Sequence, residues 1–237
     1  MAASKETLYE HINEALLFYQ EQFVSKNYGF FLENKLRLWG CNFKEGAIDI
    51  VGLAILCHDL GKAHRLYQEA IEKYGKEGVW HPTVNHELYS VAISNCILKL
   101  NTEVKEPILA SIALHHQYMR ELKPIGINKP LEMDLKELRD LLVKLSTRHG
   151  LSKYLNLNEL KLLSSTEIFE VVTKLRERII TNKTLYRLAM LILHPLVICD
   201  NVSAFKHRQD RTPRILKDVM LSEQAYVLLR RCMGLDG

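Results

Sequence analysis

The sequence predicts an all-α protein, and two features of its hydrophobic pattern indicate this class. Apolar residues recur every three or four positions through most of the chain, as Leu8, Ile12, Ala15 and Tyr19 do near the amino end. No convincing run alternates apolar and polar residues with the period of two that a half-buried strand requires. We therefore predict a compact helical bundle that forms one domain, residues 1–237.

Seven helical segments are expected in chain order. The first carries the stripe just named, the second is one long helix that ends near Gly75 and Gly78, and the third starts near Asn85, which can cap it. The fourth, 106–122, ends before the loop "KPIGINKP", whose prolines and glycine cannot continue a helix. Three more helices are predicted at 131–150, 164–182 and 185–208. Pro195 should kink or divide the last of them.

Two segments stand apart from this helical core. Residues 123–166 are polar and loop-rich and carry none of the candidate site residues, so we predict an insertion or lid region there. Residues 205–237 form a basic carboxyl-terminal segment that could guide a phosphate backbone or bind a partner. Its cationic cluster consists of Lys206, Arg208, Arg211, Arg214 and Lys217.

Composition excludes several classes of protein. The net charge of +4, from 32 basic and 28 acidic residues, permits a polyanionic substrate without requiring one. The five cysteines are scattered and never form a C-x-x-C pair, which argues against a disulfide framework and a thiolate zinc site. We also expect no membrane span, because no stretch holds about 18 uncharged apolar residues. The expected location is a reducing compartment, the cytoplasm.

The histidines indicate a metal site. Five of the ten lie on or beside apolar helical stripes, and two aspartates lie in equally apolar surroundings. One such histidine is usually a hydrogen-bonded core residue, but five on four helices with two carboxylates are better explained by a bound cation, because an unpaired buried carboxylate costs several kcal/mol. The candidates are His11, His58, His86, His115, His116, Asp59 and Asp200.

The types of ligand restrict the chemistry. Imidazole and carboxylate without thiolate suit Mn, Fe, Ni, Co or Zn better than Ca, and two such ions can share a carboxylate during phosphodiester hydrolysis. Lys62 follows His58 by four residues and Asp59 by three, so it lies on their helix face and would oppose a metal unless an anion lay between them. Lys62 therefore suggests a phosphate-sized ligand, although a solvated lysine at the helix edge is the alternative.

The ordered motifs "YEHI", "LCHDLGK", "NHELYS", "LHHQ" and "ICDNVSA" resemble the metal-dependent HD phosphohydrolase superfamily. The resemblance is greatest to the stand-alone HD nuclease of the CRISPR-associated type I interference nuclease-helicase. It implies a helical HD-domain bundle around one or two divalent ions (Mn, Ni, Fe, Co, Zn or Mg) and single-stranded DNA as substrate. It also implies that Asp59 bridges two sites and that Lys62 meets the scissile phosphate. One site would comprise His11, His58, Asp59 and Asp200, and the other Asp59, His86, His115 and His116.

The same resemblance implies partners. The chain has no G-x-x-x-x-G-K-[ST] phosphate loop, so we expect a separate ATP-dependent helicase and a CRISPR effector complex to act with it in antiviral defence. Two alternatives stay open: an HD phosphohydrolase acting on small nucleotides, and a non-catalytic helical interaction module. Three substitutes within the site also stay open, namely His81 for His86 and either Asp134 or Asp140 for Asp200.

Overall fold

The computed structural model describes residues 6–38, 46–77, 85–116 and 129–207. Within these ranges the chain forms nine α-helices and no β-strand, which confirms the predicted all-α class. The helices are α1 (Leu8–Tyr19), α2 (Tyr28–Leu38), α3 (Ala47–Cys57), α4 (Arg65–Glu77), α5 (His86–Ile97), α6 (Thr102–Leu114), α7 (Leu135–Arg148), α8 (Ser165–Thr181) and α9 (Lys183–His207).

Helix α1 directs His11 into the core. Thr7 caps the helix by accepting from the backbone N–H of Glu10 at 3.1 Å, and the Glu10 carboxylate accepts from the Thr7 N–H at 2.9 Å. The predicted stripe is buried, with Ile12 and Ala15 fully enclosed. His11 lies beside that stripe and is only 1% exposed.

The long second helix of the sequence prediction is wrong, because the chain leaves the helix at the His58-Asp59 pair. Helix α3 ends at Cys57, a 3₁₀ turn covers Leu60–Ala63, and α4 starts at Arg65. The break brings Gly61 against α5, where its N–H donates to Ser90 Oγ at 2.8 Å. A Cβ on Gly61 would lie 2.0 Å from the His86 carbonyl oxygen, so this approach requires glycine.

Helices α5 and α6 place histidines at opposite ends. Asn85 occupies the predicted N-cap position of α5, so His86 is the first residue of that helix. Helix α6 starts earlier than predicted, because the Asn101 side chain accepts from the Val104 N–H at 3.1 Å and caps it there. It ends at Leu114, which leaves His115 at its C-cap.

Helix α9 is continuous for 25 residues through Pro195, so the predicted division does not occur. It packs against α1, α3, α6 and α8, and this burial outweighs the roughly 3 kcal/mol that an internal proline costs. Its segment Lys183–Phe205 is long and apolar enough to cross a membrane by length and composition alone, and 67% of an 18-residue apolar stretch within it is buried inside the protein. The helix is therefore a central element of the core.

The described part of the predicted insertion, residues 129–166, contributes to the core. Leu131, Leu138, Leu142 and Leu145 are buried there. The segment before α7 is also tied to the body, because the Leu131 N–H donates to the Leu163 carbonyl at 2.8 Å. Its role as an insertion or lid stays a prediction. The basic tail beyond residue 207 lies outside the described residues.

Candidate metal centre

Five helices bring the candidate ligands to one place in the core. His11 comes from α1, the His58-Asp59 pair from the end of α3, His86 from the start of α5, the His115-His116 pair from the end of α6, and Asp200 from α9. Their ligand atoms form two groups, each with its atoms within 4.8 Å of one another. Group A contains His11, His58, Asp59 and Asp200, and group B contains Asp59, His86, His115 and His116.

Asp59 is the residue that the two groups share. Its Oδ2 lies 3.1 Å from His11 Nε2 and 3.3 Å from His58 Nε2. Its Oδ1 faces the other way, 3.2 Å from His86 Nε2 and 3.7 Å from His115 Nε2. The side chain is fully buried. Each carboxylate oxygen therefore serves one group, which is the arrangement that a bridging ligand requires.

Asp200 completes group A. Its Oδ1 lies 3.0 Å from His11 Nε2 and 3.5 Å from His58 Nε2. The proposed substitutes lie elsewhere: Asp134 caps α7 by accepting from two backbone N–H groups, and Asp140 is exposed on the same helix. In the structure Asp200 therefore lies beside the candidate histidines, whereas Asp134 and Asp140 do not. His81 lies outside the described residues.

Two histidines are oriented by the ends of their own helices. His58 Nδ1 donates to the Ile55 carbonyl at 2.7 Å, and His115 Nδ1 donates to the Ile112 carbonyl at 2.6 Å. These carbonyls lie in the last turn of a helix and have no intrahelical partner of their own. Because Nδ1 carries the proton in both rings, Nε2 is the nitrogen available to a ligand on the Asp59 side.

Orphaned polar atoms show that the residues fit a bound cation. Among the described residues, the Nε2 atoms of His58, His86 and His115 and the Oδ1 atom of Asp59 are buried without a hydrogen-bond partner. Some of these atoms approach within 3.2 to 3.7 Å, but not in hydrogen-bonding geometry. An unsatisfied buried polar atom costs about 1–3 kcal/mol. Imidazole nitrogens and carboxylate oxygens that converge in this way can hold a divalent metal ion.

Lys62 is buried inside the centre rather than solvated at a helix edge. Its Nζ lies 2.5 Å from Asp59 Oδ2, and the residue is only 5% exposed. Burial opposes its charged form, but the adjacent Asp59 carboxylate outweighs burial and raises the Lys62 pKa. The lysine is therefore an ammonium ion that neutralises the shared carboxylate.

The histidines of the two groups hold protons differently. Burial disfavours charge on His58, but the Asp59 and Asp200 carboxylates outweigh it and raise the His58 pKa to about 9. The His11 pKa is also raised, because hydrogen bonds to Asp200 and Asp59 outweigh burial. In group B burial prevails and lowers the pKa of both His86 and His116. At neutral pH the His11 and His58 rings of group A are protonated, whereas His86 and His116 are neutral and ready to bind a cation.

Three residues near the centre have roles that the sequence analysis did not identify. Glu6 contacts the outer nitrogen of His11 at 3.1 Å. His64, which follows the HD pair, is buried and pairs with the Pro130 carbonyl through Nε2 at 3.1 Å. Ser90 accepts the Gly61 N–H. Hydrophobic periodicity carries no signal for these contacts: those of His64 and Ser90 join segments far apart in sequence, and Glu6 lies before the first helix, outside its apolar stripe.

Comparison with known proteins decides the family. The family described as "Cas3, HD domain" matches residues 24–175, more than half of the 237-residue chain. The chain belongs to the Cas3 HD-domain family. The fold is similar to that of the CRISPR-associated Cas3 HD domain protein from Methanocaldococcus jannaschii, with a TM-score of 0.63 and 17% identity over 84% of this chain and 98% of that one. None of the curated proteins matches the chain.

Membership of the Cas3 HD-domain family confirms the predicted family and the HD-domain fold. The family is one of CRISPR-associated HD nucleases and indicates a metal-dependent hydrolase. The matched segment contains both members of the HD pair and the histidines of group B. His11 and Asp200 lie outside this segment. Their inclusion among the candidate ligands therefore rests on the geometry of group A.

Proposed function

We propose that this protein is a divalent-metal-dependent deoxyribonuclease that hydrolyses phosphodiester bonds in single-stranded DNA during CRISPR interference. The observation that carries the proposal is the position of the Asp59 carboxylate, whose two oxygens face two separate groups of histidines. Group A and group B would each hold one ion. Bound divalent ions would neutralise phosphate charge and lower the pKa of a water molecule, so that hydroxide is available at neutral pH.

The protein's own residues prepare this chemistry. Asp59 and Asp200 provide the negative charge that retains cations in a buried centre. The carbonyls of Ile55 and Ile112 keep the proton of His58 and His115 on Nδ1, so that Nε2 stays directed at the centre. The Lys62 ammonium contacts Asp59, and in the complex with substrate it could contact a phosphate oxygen instead.

The direct test is cleavage by protein stripped of metals and then supplied with Mn²⁺. We expect cleavage of single-stranded DNA, no cleavage in a chelator, and little turnover of free mononucleotides. Rapid hydrolysis of nucleotides with intact oligonucleotides would favour a small-molecule HD phosphohydrolase instead. Absence of bound metal and of all cleavage would favour an interaction module.

We further propose that a separate ATP-dependent helicase, together with a CRISPR effector complex, supplies the single strand. The candidate centre is buried, and a phosphate in a continuous duplex reaches such a centre only after the strands separate. Opening each base-pair step costs about 1.4 kcal/mol of stacking. The test compares blunt duplex with single-stranded DNA, with and without the helicase and ATP. Equal cleavage of both substrates by the isolated protein, with no gain from the helicase, would contradict this dependence.

A further inference from the structure

The outward-facing nitrogens divide four buried histidines into two pairs. His58 and His115 donate from Nδ1 to backbone carbonyls. His11 and His86 instead direct Nδ1 at glutamates: His11 lies 3.1 Å from Glu6 Oε1, and His86 lies 3.5 Å from Glu87 Oε2. Each group of candidate ligands therefore contains one histidine backed by a carbonyl and one backed by a carboxylate.

Glu6 is the closer and more enclosed of the two glutamates. It precedes the N-cap of α1 and is only 2% exposed. Helix α9 closes the contact through Ser203, whose Oγ donates to the His11 carbonyl at 2.9 Å and lies 3.2 Å from His11 Nδ1. A carboxylate in this position costs several kcal/mol to bury unless it is paired, and its contacts include His11 Nδ1 at 3.1 Å and the Ser203 hydroxyl, which donates to Glu6 Oε1 at 3.5 Å.

We infer that Glu6 is a positioning residue for metal binding at group A and acts through His11. The inference rests on the proposed function. A carboxylate that accepts from Nδ1 keeps the proton there, holds the plane of the ring, and makes Nε2 a stronger electron donor toward a metal. His11 Nε2 is the atom that faces Asp59 and Asp200, so the effect of Glu6 falls on group A.

The structure separates this role from simple stabilisation of α1. The first turn of α1 carries a second glutamate, Glu10, which is exposed and forms the capping box with Thr7. Glu6→Gln removes the negative charge beside His11 and keeps an oxygen that can accept a hydrogen bond. Glu10→Gln removes one charge from the first turn of α1 without touching the centre, and is the matched control. Glu6→Asp keeps the charge and tests rescue.

The experiment is titration of the full, metal-stripped chain with Mn²⁺ by calorimetry. We expect wild-type protein and Glu10→Gln to bind with the same affinity, and Glu6→Gln to bind one Mn²⁺ about 10- to 100-fold more weakly, as loss of an outer hydrogen-bond partner typically causes. Glu6→Asp should recover part of that loss. Circular dichroism establishes that each variant is folded. Should Glu6→Gln fail to fold, the comparison of Glu6→Asp with wild type provides the affinity readout.

A second readout reports on the surroundings of the bound metal ion rather than on folding. The visible spectrum of Co²⁺ depends on the geometry of its site and on the donor strength of its ligands, so we expect it to change in Glu6→Gln and to stay the same in Glu10→Gln. Glu6→Gln that binds Mn²⁺ as tightly as wild type, with an unchanged Co²⁺ spectrum, would overturn the inference and leave the proposed function intact. Wild-type protein that binds no metal would overturn the proposed function itself.

Discussion

Asp59 is the residue on which both groups of candidate ligands depend. Burial alone would raise its pKa, but the charges of His58 and Lys62 outweigh burial and hold that pKa well below its usual range. The carboxylate is therefore ionised throughout the physiological pH range. Removing its charge affects both groups at once, whereas removing any single histidine affects only one.

We expect Asp59→Asn to lose bound metal and to cleave DNA more than about a hundredfold more slowly. This loss should exceed the roughly 10- to 100-fold loss caused by removing a residue that only supports a ligand. Elemental analysis and a cleavage assay with Mn²⁺ measure both effects. Asp134→Asn is the matched control, because asparagine caps a helix about as well as aspartate and Asp134 lies at the N-cap of α7. Normal metal content and normal rate in folded Asp59→Asn would refute the shared-ligand arrangement.

Replacing Lys62 should have opposite effects on metal affinity and on the rate of cleavage. Its ammonium pairs with Asp59, so Lys62→Met should remove a competitor and tighten Mn²⁺ binding by about tenfold, the equivalent of roughly 1.4 kcal/mol. The same variant should cleave DNA more slowly, because it lacks a cation for the phosphate. Lys73→Met, on the exposed surface of α4, is the control for both measurements. Weaker metal binding in Lys62→Met would show that the lysine supports the centre instead of competing with it.

The sequence was sufficient to select residues that the structure brings together in two groups. A charged or polar residue inside an apolar helical stripe is visible in one dimension, which is why His58, Asp59 and Asp200 could be selected. Glu6 could not be selected in this way, because it precedes α1 and its burial depends on contacts such as that with Ser203, 197 residues away. The orientation of each imidazole ring likewise depends on contacts that no local pattern encodes.

Among the helices, the turn between α3 and α4 is where periodicity failed. The residues from Ala54 to Leu60 continue an apolar pattern, so the sequence predicts an uninterrupted helix. The helix ends there because Gly61 packs against the backbone of α5, which is a tertiary contact. Helix α8 was predicted to within one residue at each end, at 164–182, whereas α7 starts four residues later than the predicted 131–150, because Asp134 caps it there.

Gly61→Ala should destabilise the protein and disturb the centre. The new Cβ would lie 2.0 Å from the His86 carbonyl oxygen and 2.9 Å from the Ser90 nitrogen, and backbone cannot easily move. We expect a loss of about 2–3 kcal/mol in unfolding free energy and weaker metal binding. Gly52→Ala is the control: its Cβ would meet only Leu151 at 3.5 Å, and alanine favours a helix interior. Equal stability of the two variants in denaturant titrations would contradict the close packing.

For the molecule as a whole, the centre joins parts of the chain that are far apart in sequence. Five helices end or pass there, and the contact between His11 and Asp200 spans 189 residues. A metal ion held by these side chains binds the native state and not the unfolded chain, so it stabilises the entire bundle. The charge balance of the buried centre consequently couples metal binding to pH.

Metal affinity should rise with pH up to about pH 9. An ordinary imidazole loses its proton near pH 6.5, but the His58 pKa is raised to about 9, so metal must displace a proton at neutral pH. In the metal-free protein this raised pKa stabilises the fold at low pH, and that stability is lost as pH rises through 9. Calorimetry in buffers of different ionisation enthalpy measures the released proton. Affinity that stays constant between pH 7 and pH 9 would refute this coupling.

The separation of His11 from Asp200 also matters while the protein is being made. A ribosome translates His11 189 residues before Asp200, so group A cannot form until α9 has left the exit tunnel and packed against α1. Nascent chains and fragments that stop before Asp200 therefore lack a carboxylate of this group. Under the proposed function, hydrolysis that depends on group A would begin only after synthesis has passed Asp200, so unfinished copies would not cut DNA.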